Sequence, residues 1–257
     1  MAKSAAALID EFVNANGSDL YLIAGSKPSM KSDSGFRALD DELLTADTGM
    51  FAVRLLLSED GVETFLAAHE YNTAVDWADG EARLRINVFQ QRLMPAMVLR
   101  RITTKIPTLE ALKLPQPYAD LAMEKRGLVL VVGPTGSGKS TSLAAMMGHR
   151  NRNGSGHIVT IEDPVEFLHR HEGCIVSQRD VGVDTDSFHV ALKNALRQSP
   201  DVVLIGEIRD REAMEHAINF AETGHLVLAT LHANNANQAI ERILNFFPQD
   251  KHHQILL

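Results

Sequence analysis

The chain has 257 residues, of which 45% are hydrophobic and 23% charged, enough for a buried core and two modest domains. Its formal charge is −8, with 33 acidic residues against 25 lysines and arginines, so no general basic field invites nucleic acid. A single cysteine, Cys174, excludes a disulfide framework and a thiolate metal cluster, and no 18-residue apolar span is available for direct membrane insertion; a reducing, cytoplasmic setting fits.

Residues 4–14 place Leu8, Ile9, Phe12 and Val13 on one helical face, and Asn16-Gly17 ends that helix. A strand is predicted over 20–24 and a loop or short hairpin over 26–41. Helices are predicted over 48–57 and 59–69, with Ser58 capping the second. Residues 73–77 and 83–90 read as a hairpin around Asp79-Gly80, a favoured turn pair. Within it Leu84, Ile86 and Val88 alternate with Arg85 and Asn87, which therefore face away from the buried side. A strand over 94–102 completes a small α+β domain, residues 1–103. Residues 104–118 hold Pro107, Pro115 and Pro117 and read as a linker with a short helix near 109–112.

From residue 119 to 257 the pattern changes. Apolar runs at 128–132, 158–161, 202–205 and 226–228 are separated by helical patterns at 141–150, 187–199 and 211–223, and a last helix is predicted over 236–247, before Pro248. Continuous buried strands alternating with helices predict an α/β fold, a parallel sheet flanked by helices.

The first of these runs leads into Gly133-Pro134-Thr135-Gly136-Ser137-Gly138-Lys139-Ser140, followed by Thr141. Two glycines with four residues between them and then Lys-Ser, between a strand and a helix, is the P-loop pattern. Its backbone N–H groups converge on phosphates, Lys139 adds a point charge, and the Ser140 hydroxyl is placed for Mg²⁺. The expected ligands are a nucleotide and Mg²⁺, and the resemblance described below makes the nucleotide ATP.

In open α/β sheets ligands sit at the carboxyl ends of the strands. There the sequence offers Glu162, Asp163, Pro164 and Glu166, then Gly206, Glu207, Arg209 and Asp210, then Thr230 and His232. Phosphoryl transfer to water needs a carboxylate to orient the nucleophile and a group to hold the metal's water, and these residues can supply both. A common Walker B strand ends in Asp; here Gly206-Glu207 follows the run, leaving Glu207 to hold magnesium-bound water.

With these motifs the chain resembles the secretion-type ATPases that drive type IV pili, and among them the PilT/PilU retraction motors, over essentially its whole length. The likeness rests on the P-loop, on the stretch Thr160-Ile161-Glu162-Asp163-Pro164-Val165-Glu166, and on Leu196-Arg197-Gln198-Ser199-Pro200-Asp201 leading to Gly206-Glu207-Ile208-Arg209-Asp210. It also rests on Thr223-Gly224-His225 and Thr230-Leu231-His232, while Leu231-His232-Ala233-Asn234-Asn235 and Asn245-Phe246-Phe247-Pro248 are most similar to the PilU branch. The resemblance implies a RecA-like ATPase domain preceded by a PAS-like domain. It implies Glu166 as general base, with Glu162 the next candidate, Glu207 as ligand of the magnesium water and His232 as γ-phosphate sensor. It further implies a cytoplasmic homo-hexamer, with or without a paralogous retraction ATPase, working against an inner-membrane pilus platform protein at the pilus base.

A transferring phosphoryl group calls for more cation than Lys139, Arg209 and Arg211 offer, and such an arginine is commonly supplied in cis or in trans. Arg85 faces outward on its strand; periodicity leaves Arg100 and Arg101 open, and only the resemblance, through a spacing of 15 residues, selects Arg100. Extension and type II secretion ATPases carry a further N-terminal domain, which favours retraction, and family members continue past the position of Leu257, so a fragment is expected. The alternatives are an accessory ring subunit, a type II secretion or pilus-extension ATPase, a RecA-like enzyme on nucleic acid, and a small-molecule phosphotransferase.

Overall fold

The computed structural model describes residues 3–78, 82–102, 105–252 and 255. The chain divides into two compact units, Met1–Thr104 and Lys105–Leu257.

In the first unit, helix α1 (Ala5–Asn14) starts where the Ser4 hydroxyl accepts the Ala7 N–H, satisfying one of the free donors of the first turn. Helices α2 (Ala46–Leu56) and α3 (Glu59–Ala68) are capped in the same way by Thr45 and Ser58. They accompany an antiparallel sheet of β1 (Asp19–Ile23), β2 (Ser29–Ser32), β3 (Gly35–Ala38), β4 (Glu70–Trp77), β5 (Ala82–Gln91) and β6 (Met94–Ile102), in the order β3-β2-β1-β6-β5-β4. Leu20, Leu22, Leu84, Ile86, Val88, Met97 and Leu99 pack with Leu8, Ile9 and Phe12 of α1 and with Val53 and Phe65. Each such side chain contributes about 1.5–3 kcal/mol by leaving water. The strand period of two therefore sends Arg85 and Arg100 to the opposite face, as the alternation in β5 predicts. The region left open as loop or hairpin is the β2–β3 hairpin; the predicted Asp79-Gly80 turn lies outside the described residues.

The second unit holds β7 (Gly127–Val132), β8 (Gly156–Glu162), β9 (Cys174–Asp180), β10 (Val202–Ile205) and β11 (Leu226–Leu231), all parallel, in the order β7-β11-β10-β8-β9. Ile158, Val202, Leu204, Leu226 and Leu228 pack with Leu143, Met146 and Met147 of α5 (Lys139–Asn153). The alternate residues Val159, Ile161, Val203, Ile205, Val227 and Ala229 pack on the other face. There they meet α6 (Phe188–Ala195), α7 (Arg211–Glu222) and α8 (Ala236–Phe246). The unbroken apolar runs follow from this double burial.

Two details differ from the sequence reading. Residues 109–112 form a turn rather than a helix, closed by a left-handed Lys113, while Leu109 is buried in the cluster of Ala122 and the α5 residues Leu143 and Met146. The short helix is α4 (Pro117–Ala122), which starts at Pro117, a residue preset for the first helical position. Strand β9 was not anticipated: it lies at the sheet edge, and its stretch 177–179 is polar.

Candidate functional site

Strand β7 delivers the chain to the loop 133–138, and α5 starts directly after it. Gly138, the residue before the helix, has φ +88°, a left-handed conformation that costs a residue with a side chain about 1–2 kcal/mol. Every other described helix of eight or more residues has a side-chain cap, from Ser4, Thr45, Ser58, Ser187, Asp210 or Asn235; α5 has none and carries no acidic residue in its first turn. The first N–H groups of α5 thus have no side-chain acceptor, and the positive end of the helix dipole is left for an outside anion. Lys139 Nζ lies back over the loop, donating to the carbonyls of Gly133 at 2.9 Å and Pro134 at 3.0 Å.

Beside the loop opens a cleft of about 360 Å³. Thr135, Gly136, Gly138, Lys139, Ser140 and Thr141 line it, with Glu162, Asp163, Glu166, Glu207, Arg209, Thr230 and His232 from the ends of β8, β10 and β11. Gly133 and Ser137, also expected to bind the nucleotide, are not in the lining. His225 sits at the amino end of β11, its Nδ1 3.0 Å from the Phe220 carbonyl oxygen.

Glu162, the last residue of β8, and Glu166, in the segment after it, differ in kind. Glu162 is half-buried; its Oε1 accepts the Thr160 hydroxyl at 2.7 Å and the Gln178 amide at 3.4 Å. Burial pushes its pKa up to about 7, with smaller contributions from the charges of Glu166 and Asp180, against the opposing hydrogen bonds. Near neutral pH its protonated form is therefore far more accessible than that of an ordinary glutamate. Glu166 is exposed to the cleft.

At the next strand end, the Gly206 N–H donates to the Ile161 carbonyl at 2.8 Å, and a Cβ on Gly206 would come within 3.1 Å of Glu162 Cα. Glu207 is engaged on both oxygens: Oε2 accepts from Arg209 Nε at 2.9 Å, and His232 Nε2 stands 3.3 Å from Oε1. Arg209 Nη1 reaches on to Asp163 at 3.1 Å. A continuous polar chain Asp163–Arg209–Glu207–His232 thus ties three strand ends together. Arg211, also expected as a nearby cation, is paired with Glu215 at 2.7 Å and lies over the Phe247 ring. Gln178, Phe167 and His169 also stand at or beside this cleft and were not singled out, because they belong to a segment with no motif.

The fit to a magnesium nucleotide can be tested on these residues. Among the described residues no three His, Cys, Asp or Glu gather as a metal cage. Magnesium in nucleotide sites is held by phosphates, waters and one or two protein groups instead, which suits a set of Ser140 and Glu207. The uncapped helix and Lys139 suit the phosphates.

Arg85 and Arg100 belong to the first unit. Arg100 lies on the open sheet face, its Nε donating to Asp19 Oδ1 at 2.7 Å. Arg101 points to the helix-covered face, where it donates to Asn16 at 2.7 Å and to the Val13 carbonyl at 3.2 Å. That separates the two arginines that periodicity left open: Arg101 fastens the end of α1, and Arg100 stands with Arg85.

Comparison with known proteins agrees with this geometry. The family described as "Type II/IV secretion system protein" matches residues 53–253. The type IV pilus ATPase PilU of Pseudomonas aeruginosa is 56% identical over 248 residues, 96% of this chain and 65% of that protein. PilT of the same organism, named as a type IV pilus retraction ATPase, is 40% identical over 234 residues, 91% of this chain and 68% of the relative. A crystal structure of the pilus retraction motor PilT with bound ADP superposes with a TM-score of 0.91 at 40% identity, covering 99% of this chain and 74% of the other. The chain thus spans about two thirds of the length of these curated relatives. By its fold, by its loop and strand-end residues, and by similarity along most of its length, the chain belongs to the type II/IV secretion system protein family, among its PilT/PilU-like members.

Proposed function

We propose that the protein binds ATP with magnesium and hydrolyses it to drive type IV pilus retraction. The observation that carries the reading is the uncapped, acid-free start of α5 under Lys139, facing the carboxylates of Glu166 and Glu207 across one cleft. The loop N–H groups and Lys139 hold the β- and γ-phosphates, for which Lys139 exchanges its two bonds to the loop carbonyls. Ser140, and Glu207 through the metal's water, would hold the magnesium, whose charge would offset that of the phosphates. Glu166, exposed in the cleft, orients water and takes its proton; His232, beside Glu207, responds to the γ-phosphate. Arg85 and Arg100 serve a neighbouring subunit's nucleotide in a homo-hexamer.

Similar proteins named as a type IV pilus ATPase and as a retraction motor with ADP support this reading. Among the described residues no helix is long and apolar enough to cross a membrane. We place the ring in the cytoplasm at the pilus base, against an inner-membrane platform protein, with a paralogous retraction ATPase as a further partner. The boundary between a PAS-like domain and the ATPase domain belongs near residue 104. The test is phosphate release from magnesium ATP by the full-length protein, and recovery of retraction when it is returned to cells lacking it. Release no greater than that of Lys139→Ala would overturn the enzymatic reading; turnover without recovery of retraction would overturn the pilus assignment alone.

A further inference from the structure

Strand β9 grips the segment that carries Glu166. The register pairs Thr160 with Gln178 and Glu162 with Asp180. Cys174 and Val176 pack beneath α5, so the period of two brings Gln178 and Asp180 to that same face. Gln178 Oε1 accepts the His169 N–H at 2.7 Å, and its Nε2 donates to the Phe167 carbonyl at 2.8 Å. The backbone groups themselves thus fix which end of the amide is which. Asp180 Oδ2 accepts the Val165 N–H at 3.4 Å. Val165, Phe167 and His169 are alternate residues, each bonded through its backbone to a side chain of β9. Glu166 lies between two of these anchored residues, and its own side chain is exposed.

We propose that Gln178 is a positioning residue for turnover, fixing the backbone on which Glu166 stands. This rests on the reading of Glu166 as the base. A carboxylate on a connecting segment keeps its aim only as well as the segment does, and a displacement of about 1 Å can cost about 100-fold in rate. Gln178 touches neither the P-loop lysine nor the loop glycines, so its loss leaves phosphate binding in place.

The test uses the full-length protein with Gln178→Leu and Gln178→Glu. The second keeps the shape and the acceptor for His169, but has no N–H for Phe167 or for Glu162, and it decides the matter if the first fails to fold. Both are expected to bind ADP within about 3-fold of wild type and to lose about 10-fold or more in kcat. In a Glu166→Gln background, Gln178→Glu is expected to lower the remaining turnover by less than about 3-fold, since no base is left to misplace. Normal kcat in Gln178→Glu overturns the inference. So does loss of ADP binding in step with kcat, or a full 10-fold loss repeated in the double variant, because either marks a general structural role. Wild-type turnover by Glu166→Gln would instead overturn the base assignment, and the inference with it.

Discussion

Arg85 and Arg100 stand directly opposite one another on the antiparallel strands β5 and β6, with Asp19 paired to Arg100 on its other side. Like charges in facing positions destabilise a sheet, and the ion pair of Asp19 is made with Arg100. Arg85→Ala is therefore expected to leave thermal stability unchanged or raise it by up to about 0.5 kcal/mol, while lowering ATP turnover at least about 10-fold. Mixed rings of Arg85→Ala and Lys139→Ala should regain part of the turnover, because some interfaces pair an intact loop with an intact arginine. Absence of recovery in rings shown to be mixed would count against action across subunits; full turnover by Arg85→Ala alone would end the assignment.

Binding and hydrolysis should separate by position. Lys139→Ala removes the cation of the loop and is expected to lose both ADP binding and turnover. Glu166→Gln leaves the loop intact and is expected to bind nucleotide normally while losing about 100-fold or more in kcat. Equilibrium binding of a fluorescent ADP beside phosphate release makes the comparison.

Glu162 gives a stability signature. Its native pKa of about 7 lies above the ordinary 4.5, so the folded state holds its proton longer than the unfolded state. The stabilisation from this group is complete below pH 4.5 and lost as pH rises to about 7. Glu162→Gln, which stays neutral and can still accept the Thr160 hydroxyl, should match wild type near pH 4.5. Above pH 7 it should exceed wild type by about 1–3 kcal/mol in denaturant unfolding. A constant difference across that range would contradict the origin assigned to the shift.

His169 gives the opposite slope. It is buried, its Nδ1 has no hydrogen-bond partner, and burial, with help from Arg152, lowers its pKa from 6.5 to about 4. A depressed histidine contributes stability above pH 6.5 that is lost as pH falls through 4. His169→Phe should flatten the acid side of the stability profile between those values, measured by unfolding at fixed pH. An unchanged acid slope would show that other groups govern acid unfolding.

What could be read from the residues follows what each is exposed to. The runs in β7, β8, β10 and β11 were legible because both faces of each are covered, so no polar residue interrupts them until the cleft. Thr160 and Glu162 break the pattern of β8 because they lie where the sheet meets that cleft. Strand β9 was not legible: only Cys174, Val176 and Asp180 are buried, and Gln178 spends its polarity on neighbouring backbone, a use that no spacing announces. Arg100 and Arg101 were inseparable by period because Arg101, although on the core side, lies near the strand end and reaches past the core to Asn16.

Gly206 joins β8 and β10 at the point where each presents an acid, Glu162 on one and Glu207 on the other. The two strands meet there so closely that a methyl group on Gly206 would stand 3.1 Å from Glu162 Cα, tighter than ordinary contact. Alanine at 206 would act as a wedge, prising the strand ends apart by a few tenths of an ångström while the sheet behind them stays zipped by its register. The separation of the two cleft carboxylates, Glu162 and Glu207, is thus gauged by an atom that is missing, and lengthening that gauge would detune the pair without unfolding either strand.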